Sequence, residues 1–298
     1  MKTADRVSAR VSLVLVTLAT ALALVALGRR REARATEGLV DRLLAGSAEA
    51  AERGRDREDR TALPDPVRRY FDTALPEGSR TMDGVCVEQA GRLRVGGPDS
   101  SWKPFTATHR ATVRRPGFVW DATVSVLPLT PVRVRDAFVG GEGSSRVTLF
   151  GALPLGGATG SRELDEAALQ RYLAEAVWYP AALLPEHGVS WEGVDDRTAR
   201  ATLVYEETTA SLTFHFSEEA DPAQGEEGGE TVVERVHADR RYRAVEGGFE
   251  PTPWTGLWRD YENRDGVLVP TTGEVVWHLP EGDLHAWRGR VTSVDFER

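Results

Sequence analysis

Three stretches of this 298-residue chain bring acids, arginines and aromatic rings close together in sequence. The first is Arg171 to Pro180. Arg171 and Glu175 are four residues apart, so on a helix they share a face, with Trp178 and Tyr179 three and four residues beyond Glu175. Two arrangements fit that spacing: a surface ion pair beside core aromatics, or a pair pointing into a groove between helix and sheet. In a groove, a partly desolvated carboxylate is poised to bind or exchange a proton. The second stretch is Val132 to Phe138. Its alternation puts Asp136 with Val132, Val134 and Phe138 on an apolar face, and a carboxylate there needs a partner. Arg171 fits that role; so do the backbone amides of a turn at Gly140. The third stretch is Pro253 to Tyr261. Trp254, Trp258 and Tyr261 beside Arg259 and Asp260 suit either a pocket rim or a plug closing one end of a sheet. Asp121 adds a further carboxylate.

Other signatures are missing. Gly140-Gly-Glu-Gly143 lacks the Lys-Ser or Lys-Thr of a phosphate loop, and no Gly-x-Ser-x-Gly or His-x-x-x-His occurs. The six histidines are scattered. His215 and His278 would need Glu234 or Asp121 brought beside them by the fold to hold zinc. Cys86 is the sole cysteine, which excludes an intrachain disulfide and a cysteine metal cluster. No cofactor or metal is implied.

These groups must be positioned by β-structure. Phe118, Trp120, Ala122, Val124 and Val126 alternate with Val119, Asp121, Thr123 and Ser125, and similar period-two runs recur from 83 to 296. Glycine-rich turns separate them at 140–141, 247–248 and 265–266. The acidic, glycine-rich stretch 218–230 reads as an exposed loop. Two helices interrupt the series. One starts near Pro66 and stops at Pro76. The other carries Leu164, Ala168, Tyr172, Leu173 and Ala176 at helical spacing, with Ser161 as its cap and Pro180 as its stop. The predicted fold class is mainly β (α+β). It is a large curved antiparallel sheet or half-open barrel of about 10–11 strands with one or two helices on its concave face, plus an N-terminal transmembrane helix.

That last element comes from residues 11–28, an uncharged run between basic residues. Eighteen residues span ~27 Å, close to a hydrocarbon core of ~30 Å. An uncleaved anchor, a cleaved signal peptide and a buried helix each fit such a run; the three arginines at 29–31 favour the anchor. The domain organisation read from this is a basic N-terminus (1–10), a transmembrane or signal-anchor helix (11–28), a charged tether (29–60) and a single β-rich domain (61–298). The expected location is a single-pass protein of the bacterial cell membrane, with the globular domain outside the cytoplasm. Residues 1–60 hold 12 basic and 9 acidic residues, net +3, whereas the whole chain is −9, so 61–298 carries −12. A broad nucleic-acid-binding surface does not fit that charge.

The chain resembles an uncharacterised bacterial family, a domain of unknown function, over about residues 63–296. The resemblance rests on Phe118-Val-Trp-Asp121, Arg171-Tyr-Leu-Ala-Glu-Ala-Val-Trp-Tyr-Pro180 and Pro253-Trp-Thr-Gly-Leu-Trp-Arg-Asp-Tyr261 leading to Pro270. That family supplies no established reaction. More loosely, the strand order is similar to the lipoprotein-carrier fold of the bacterial envelope, a half-open barrel whose concave face is plugged by helices; this is a likeness of fold alone.

Three functions stay open on the sequence. In the first, a membrane-tethered, non-enzymatic domain binds a lipid or other apolar ligand, or an envelope partner, in a helix–sheet cleft. In the second, a hydrolase-like enzyme acts on a small or lipidic substrate, with Glu175, Asp136 or Asp121 exchanging protons and Arg171 and Arg259 binding an anion. In the third, the domain is purely structural or an interaction module.

Overall fold

A computed structural model describes residues 2–52, 62–75, 82–94, 96–127, 130–220 and 229–297, with side chains described at 13, 15–50, 62–75, 82–94, 96–127, 130–217 and 229–297. Its frame is one antiparallel sheet of 13 strands in the order β6-β5-β4-β3-β2-β1-β13-β12-β11-β10-β9-β8-β7. The strands are β1 (Gly84–Arg94), β2 (Trp102–Thr112), β3 (Gly117–Leu127), β4 (Thr130–Val139), β5 (Glu142–Leu149), β6 (Leu153–Thr159), β7 (Val189–Asp195), β8 (Thr198–Tyr205), β9 (Thr208–Ala220), β10 (Gly229–Val245), β11 (Gly248–Arg264), β12 (Val267–Leu279) and β13 (Gly282–Glu297). Consecutive strands pair with one another, save β6 and β7, which form the two edges and are separated in sequence by a helix; the first strand also pairs with the last, β1 against β13. The chain therefore makes two meanders, β1 to β6 and β7 to β13, zipped along one seam. The sheet is curved into a half-barrel, open between β6 and β7.

The strand count exceeds the expected 10–11, and each difference has a local cause. β6 (Leu-Pro-Leu-Gly-Gly-Ala-Thr) and β7 are edge strands with mostly exposed side chains, so neither shows alternation. β11 holds Pro251 and Pro253, which argue against a strand by composition. β10 runs through 239–240 as a bulge between Ala238 and Arg241, joining two segments that read as separate strands.

The concave face carries the main core. Alternate residues such as Phe105, Ala107, Phe118, Trp120, Phe138, Phe214 and Phe216 point inward, onto α2 (Asp65–Ala74) and α3 (Arg162–Glu175). α2 presents Val67, Tyr70, Phe71 and Ala74, all fully buried. Pro66 sits in its first turn, where a missing amide costs nothing. The expected stop, Pro76, lies outside the described residues, as do 221–228 of the acidic loop. α3 is capped by Ser161, whose Oγ accepts from the Leu164 amide at 3.2 Å. Three short 3₁₀ turns over 176–187 follow it, pinned by side-chain hydrogen bonds. Trp178 Nε1 donates to Pro270 O at 3.1 Å and Trp191 Nε1 to Leu183 O at 2.9 Å.

The N-terminal expectation is corrected. Among the described residues, no helix is long and apolar enough to cross a membrane. Residues 11, 12 and 14 of the expected span lie outside the described side chains. The backbone of 11–28 is helical throughout. It belongs to α1 (Lys2–Glu52), which runs on through Arg29-Arg30-Arg31-Glu32 without a break. The membrane anchor, the membrane as a partner through 11–28, and the single-pass extracytoplasmic placement all fall with it.

Beyond residue 28, α1 lies on the convex face of β2, β3 and β4. Leu43 packs with Val119 and Ala137, the outward-facing residues of β3 and β4. A Cβ at Gly117 would come within 2.6 Å of Leu43 Cδ1, so that glycine makes room for the helix. Glu32 takes a hydrogen bond from Arg146 at 2.9 Å and stands 3.6 Å from Arg135, which also donates to Thr36 Oγ1 at 2.9 Å.

Strand parity can be checked by truncation. Trp120, 4% exposed, should cost about 3–5 kcal/mol when changed to Ala. Val204→Ala, at a site 61% exposed, should cost no more than about 0.5 kcal/mol. Denaturant titration of both variants tests this; equal losses would show that inner and outer faces are assigned wrongly.

Candidate functional site

On the concave face lies a charged network, and α3 delivers its centre. Arg171 donates from Nε to Glu175 Oε1 at 2.8 Å and from Nη1 to Asp136 Oδ2 at 2.9 Å. Asp136 comes from β4, so this guanidinium ties the helix to the sheet. Ser145 Oγ donates to the other Asp136 oxygen at 2.7 Å. Beneath it, the Arg171 guanidinium lies over the rings of Phe118 and Trp120, 5.1 and 4.9 Å from their centroids. Burial alone would lower the Arg171 pKa, but Glu175 and Asp136 more than offset that and hold it above its ordinary value. Asp136 therefore reaches the apolar face as its alternation predicts, with Arg171 rather than turn amides as partner.

His109 sits behind Glu175 with no solvent exposure. Its ring stacks on Tyr179 and lies beside Phe118 and Trp178. Neither ring nitrogen has a hydrogen-bond partner among the described residues, and nor does Glu175 Oε2, 3.7 Å from His109 Nε2. At 3.7 Å the two do not hydrogen-bond. Burial first, and the positive Arg171 second, push the imidazole well below its usual pKa. The pair is thus a neutral histidine beside a carboxylate, not an ion pair.

Next to the network is a cleft of about 560 Å³ between α3, the outer end of β3–β6 and the β10–β11 hairpin. Phe118, Ala168, Phe249 and Trp277 give it apolar walls, with Asp136 and Arg171 on one side and Arg241 on the other. Arg241 lies over Trp254 and Trp277, at 4.7 and 5.3 Å. It donates from Nη2 to Ala167 O at 3.3 Å, while its Nε has no partner among the described residues. Burial, reinforced by nearby Arg171, lowers its pKa to about 10.

The structure separates the remaining candidates. Trp178 packs edge-on to Trp258, with ring centroids 4.9 Å apart, and Tyr179 OH donates to Tyr172 O at 2.9 Å; all are core groups beneath α3. Trp254 lies under Arg241. Tyr261 OH donates to Val233 O at 2.6 Å. Asp121 points the other way, to the convex face, where Arg133 holds it in a two-pronged pair. Arg259 is also convex, 3.8 Å from Glu274, and Asp260 is exposed at a left-handed backbone position (φ 56°). Asp136, Arg171 and Glu175 meet; Asp121 and Arg259 do not join them. Among the described residues no three His, Cys, Asp or Glu side chains gather as a metal site. His278 instead bonds Thr255 and Asp283. His109 and Arg241 were missed. For His109 the signal was available, since it shares parity with Phe105, Ala107 and Ala111. For Arg241 it was not, because the bulge at 239–240 breaks the alternation.

A family model described as a family of unknown function (DUF6920) matches residues 61–296. The chain belongs to this family. None of the curated proteins matches it. Among solved structures, a LolA-superfamily protein from Nitrosomonas europaea is similar at 12% identity, over 78% of this chain and 92% of that one, with a TM-score of 0.42. A β-barrel-like protein of the DUF1849 family from Brucella abortus is similar at 9% identity, over 73% and 99%, with a TM-score of 0.22.

The buried imidazole has a measurable consequence. Because the folded His109 pKa lies below its unfolded value of ~6.5, the unfolded chain binds the proton more readily. Its contribution to stability is intact above pH ~6.5 and declines below it, by up to about 1.4 kcal/mol per pH unit, until the folded pKa is reached. His109→Leu should remove one proton's worth of that slope between pH 6.5 and 5. Urea titrations across that range compare the two proteins; identical slopes would mean that His109 protonates freely in the fold.

Proposed function

We propose that the domain binds an amphiphilic small molecule in the cleft between α3 and the sheet, and does so without transforming it. The observation that carries this reading is the apolar cleft of about 560 Å³ walled on one side by half-buried Arg241, whose buried Nε–H has no partner among the described residues. An unmet buried donor costs about 1–3 kcal/mol unless something satisfies it, and a ligand oxygen would do so. An apolar body between Phe249, Ala168 and Trp277 would provide the rest of the affinity by leaving water. Arg171 is not the anion receptor, since two carboxylates already neutralise it. Both Asp136 oxygens are likewise engaged. The network reads as structural support for the cleft wall, with Arg241 left to recognise the ligand. No membrane anchor enters this proposal.

The test uses the full chain and the dye anilinonaphthalene sulfonate, which has an apolar body and one anionic group. Saturable binding is expected. Ala158→Trp, on β6 opposite Ser145 in the cleft wall, and Arg241→Met, which removes the donor, should each weaken it about tenfold, or ~1.4 kcal/mol, with melting curves confirming that both variants fold. Absence of saturable binding, or wild-type affinity in both variants, would overturn the proposal. Native mass spectrometry of the freshly purified chain gives a second reading, as a retained apolar species lost on Ala158→Trp.

A further inference from the structure

The convex face carries a separate feature. On the seam where β1, β13, β12 and β11 lie side by side, the outward row reads Arg92, Arg288, Glu274, and the row beside it Arg290, Thr272, Arg259. Arg92 and Arg288 are directly opposite across the β1–β13 pair, an arrangement of like charges that costs stability. Between the two rows run Gly91, Gly289 and Gly273, paired strand to strand. Their missing side chains leave space on the inner face: Trp287 covers Gly289, and Trp258 and Trp287 crowd Gly273. A Cβ at Gly91 would meet Arg288 O at 2.1 Å, so the strands here approach more closely than any side chain would allow. The result is a groove of about 640 Å³ on the outer surface, with the four arginines and Trp102 around it.

Charge within the groove is not balanced. Glu274 is the one acid among its lining residues. It takes hydrogen bonds from Arg288 at 2.8 Å and His285 at 2.5 Å, and stands 3.8 Å from Arg259. Arg92 and Arg290 are exposed and make no ion pair among the described residues. Trp102 is flanked by cations: Arg94 and Arg288 lie over its ring at 4.8 and 5.0 Å. This concentration of positive charge lies in a domain whose net charge is −12, so average composition does not account for it.

We infer that this groove is a binding site for a phosphate monoester or similar organic oxyanion, independent of the concave cleft. A guanidinium fork matches the oxygens of a phosphate in bidentate fashion, and two unpaired forks on adjacent strands can grip one group from both sides. Trp102 offers an apolar or stacking surface to the organic part. Glu274 keeps Arg288 and Arg259 oriented, leaving Arg92 and Arg290 for the ligand. The oxyanion comes either from a free small molecule or from a lipid headgroup.

Titration of the full chain with phenyl phosphate, followed by calorimetry, tests the site; inorganic phosphate and phosphatidylglycerol vesicles form two further arms, with phosphatidylcholine vesicles as the uncharged control. The double variant Arg92→Gln/Arg290→Gln is compared with Arg200→Gln, an exposed arginine on β8. Wild type and Arg200→Gln should bind alike, the double variant at least tenfold more weakly, and added salt should weaken both wild type and Arg200→Gln. Binding of the free phosphates alone would support a small-molecule ligand, and selective binding of the phosphatidylglycerol vesicles a headgroup. No binding in any arm, or binding that the double variant retains, would overturn the site. Phosphate binding in a chain that fails to bind the anilinonaphthalene dye would leave this site standing while removing the concave one.

Discussion

The Arg171 guanidinium is the contact on which the interior depends. A curved sheet exposes a large apolar concavity, and something must cover it. α3 does so, but it carries charge into the core and that charge must be satisfied. Asp136 and Glu175 satisfy it, one from the sheet and one from the helix itself. A buried pair of this kind adds little net stability over apolar packing, yet losing one partner is severe because the other is stranded. Its effect is therefore on placement. α3 can lie over β3 and β4 only where Arg171 reaches Asp136 and stacks on Phe118 and Trp120. With α3 fixed there, the 3₁₀ turns carry Trp178 and Tyr179 under the sheet, and a cleft remains along the side of the helix, between it and the β10–β11 hairpin.

The sheet has two chemically distinct sides. Inward residues are aromatic and aliphatic, while the outward ones form ion pairs and ladders, such as Asp121 with Arg133 and Glu274 with Arg288. α1 uses the outward side of β2–β4, docking through Leu43 and through Glu32 between two arginines. The convex arginine groove occupies a different part of that side, on the seam joining the two meanders. The seam carries the paired glycines Gly91, Gly289 and Gly273, which make room for Trp258 and Trp287 inside and line the groove outside.

Much of the framework was legible in the residues. Alternation in 118–126 and 132–138 identified the inward faces, and it carried Asp136 to the correct side. The four-residue spacing of Arg171 and Glu175 identified the pair. Legibility failed where local chemistry mimics something else. Prolines at 251 and 253 hide β11 as a strand, so its aromatic run reads equally as a pocket rim or a plug, and Arg259 is grouped with Arg171 although a sheet separates them. The apolar run at 11–28 has the composition of an anchor, whereas in the fold it is one part of a long helix whose continuation docks on the domain. Edge strands β6 and β7, with mostly exposed side chains, left no alternation to read.

By itself the sequence determined the class of structure, the inner and outer faces where alternation is unbroken, as in β3 and β4, the α3 helix with its Ser161 cap, and the ion pair along it. These follow from periodicity and capping, which are properties of residues near one another in the chain. Only the tertiary structure decided which strands adjoin, and so which distant residues meet. Arg171 with Asp136, His109 with Glu175, Arg241 over Trp277 and Arg92 opposite Arg288 all depend on strand order and sheet curvature. Those pairings set where charge is neutralised and where it is left over. Arg241 in the concave cleft and Arg92 with Arg290 on the convex seam have no ion pair among the described residues because burial and register brought other arginines to acids and kept these from them.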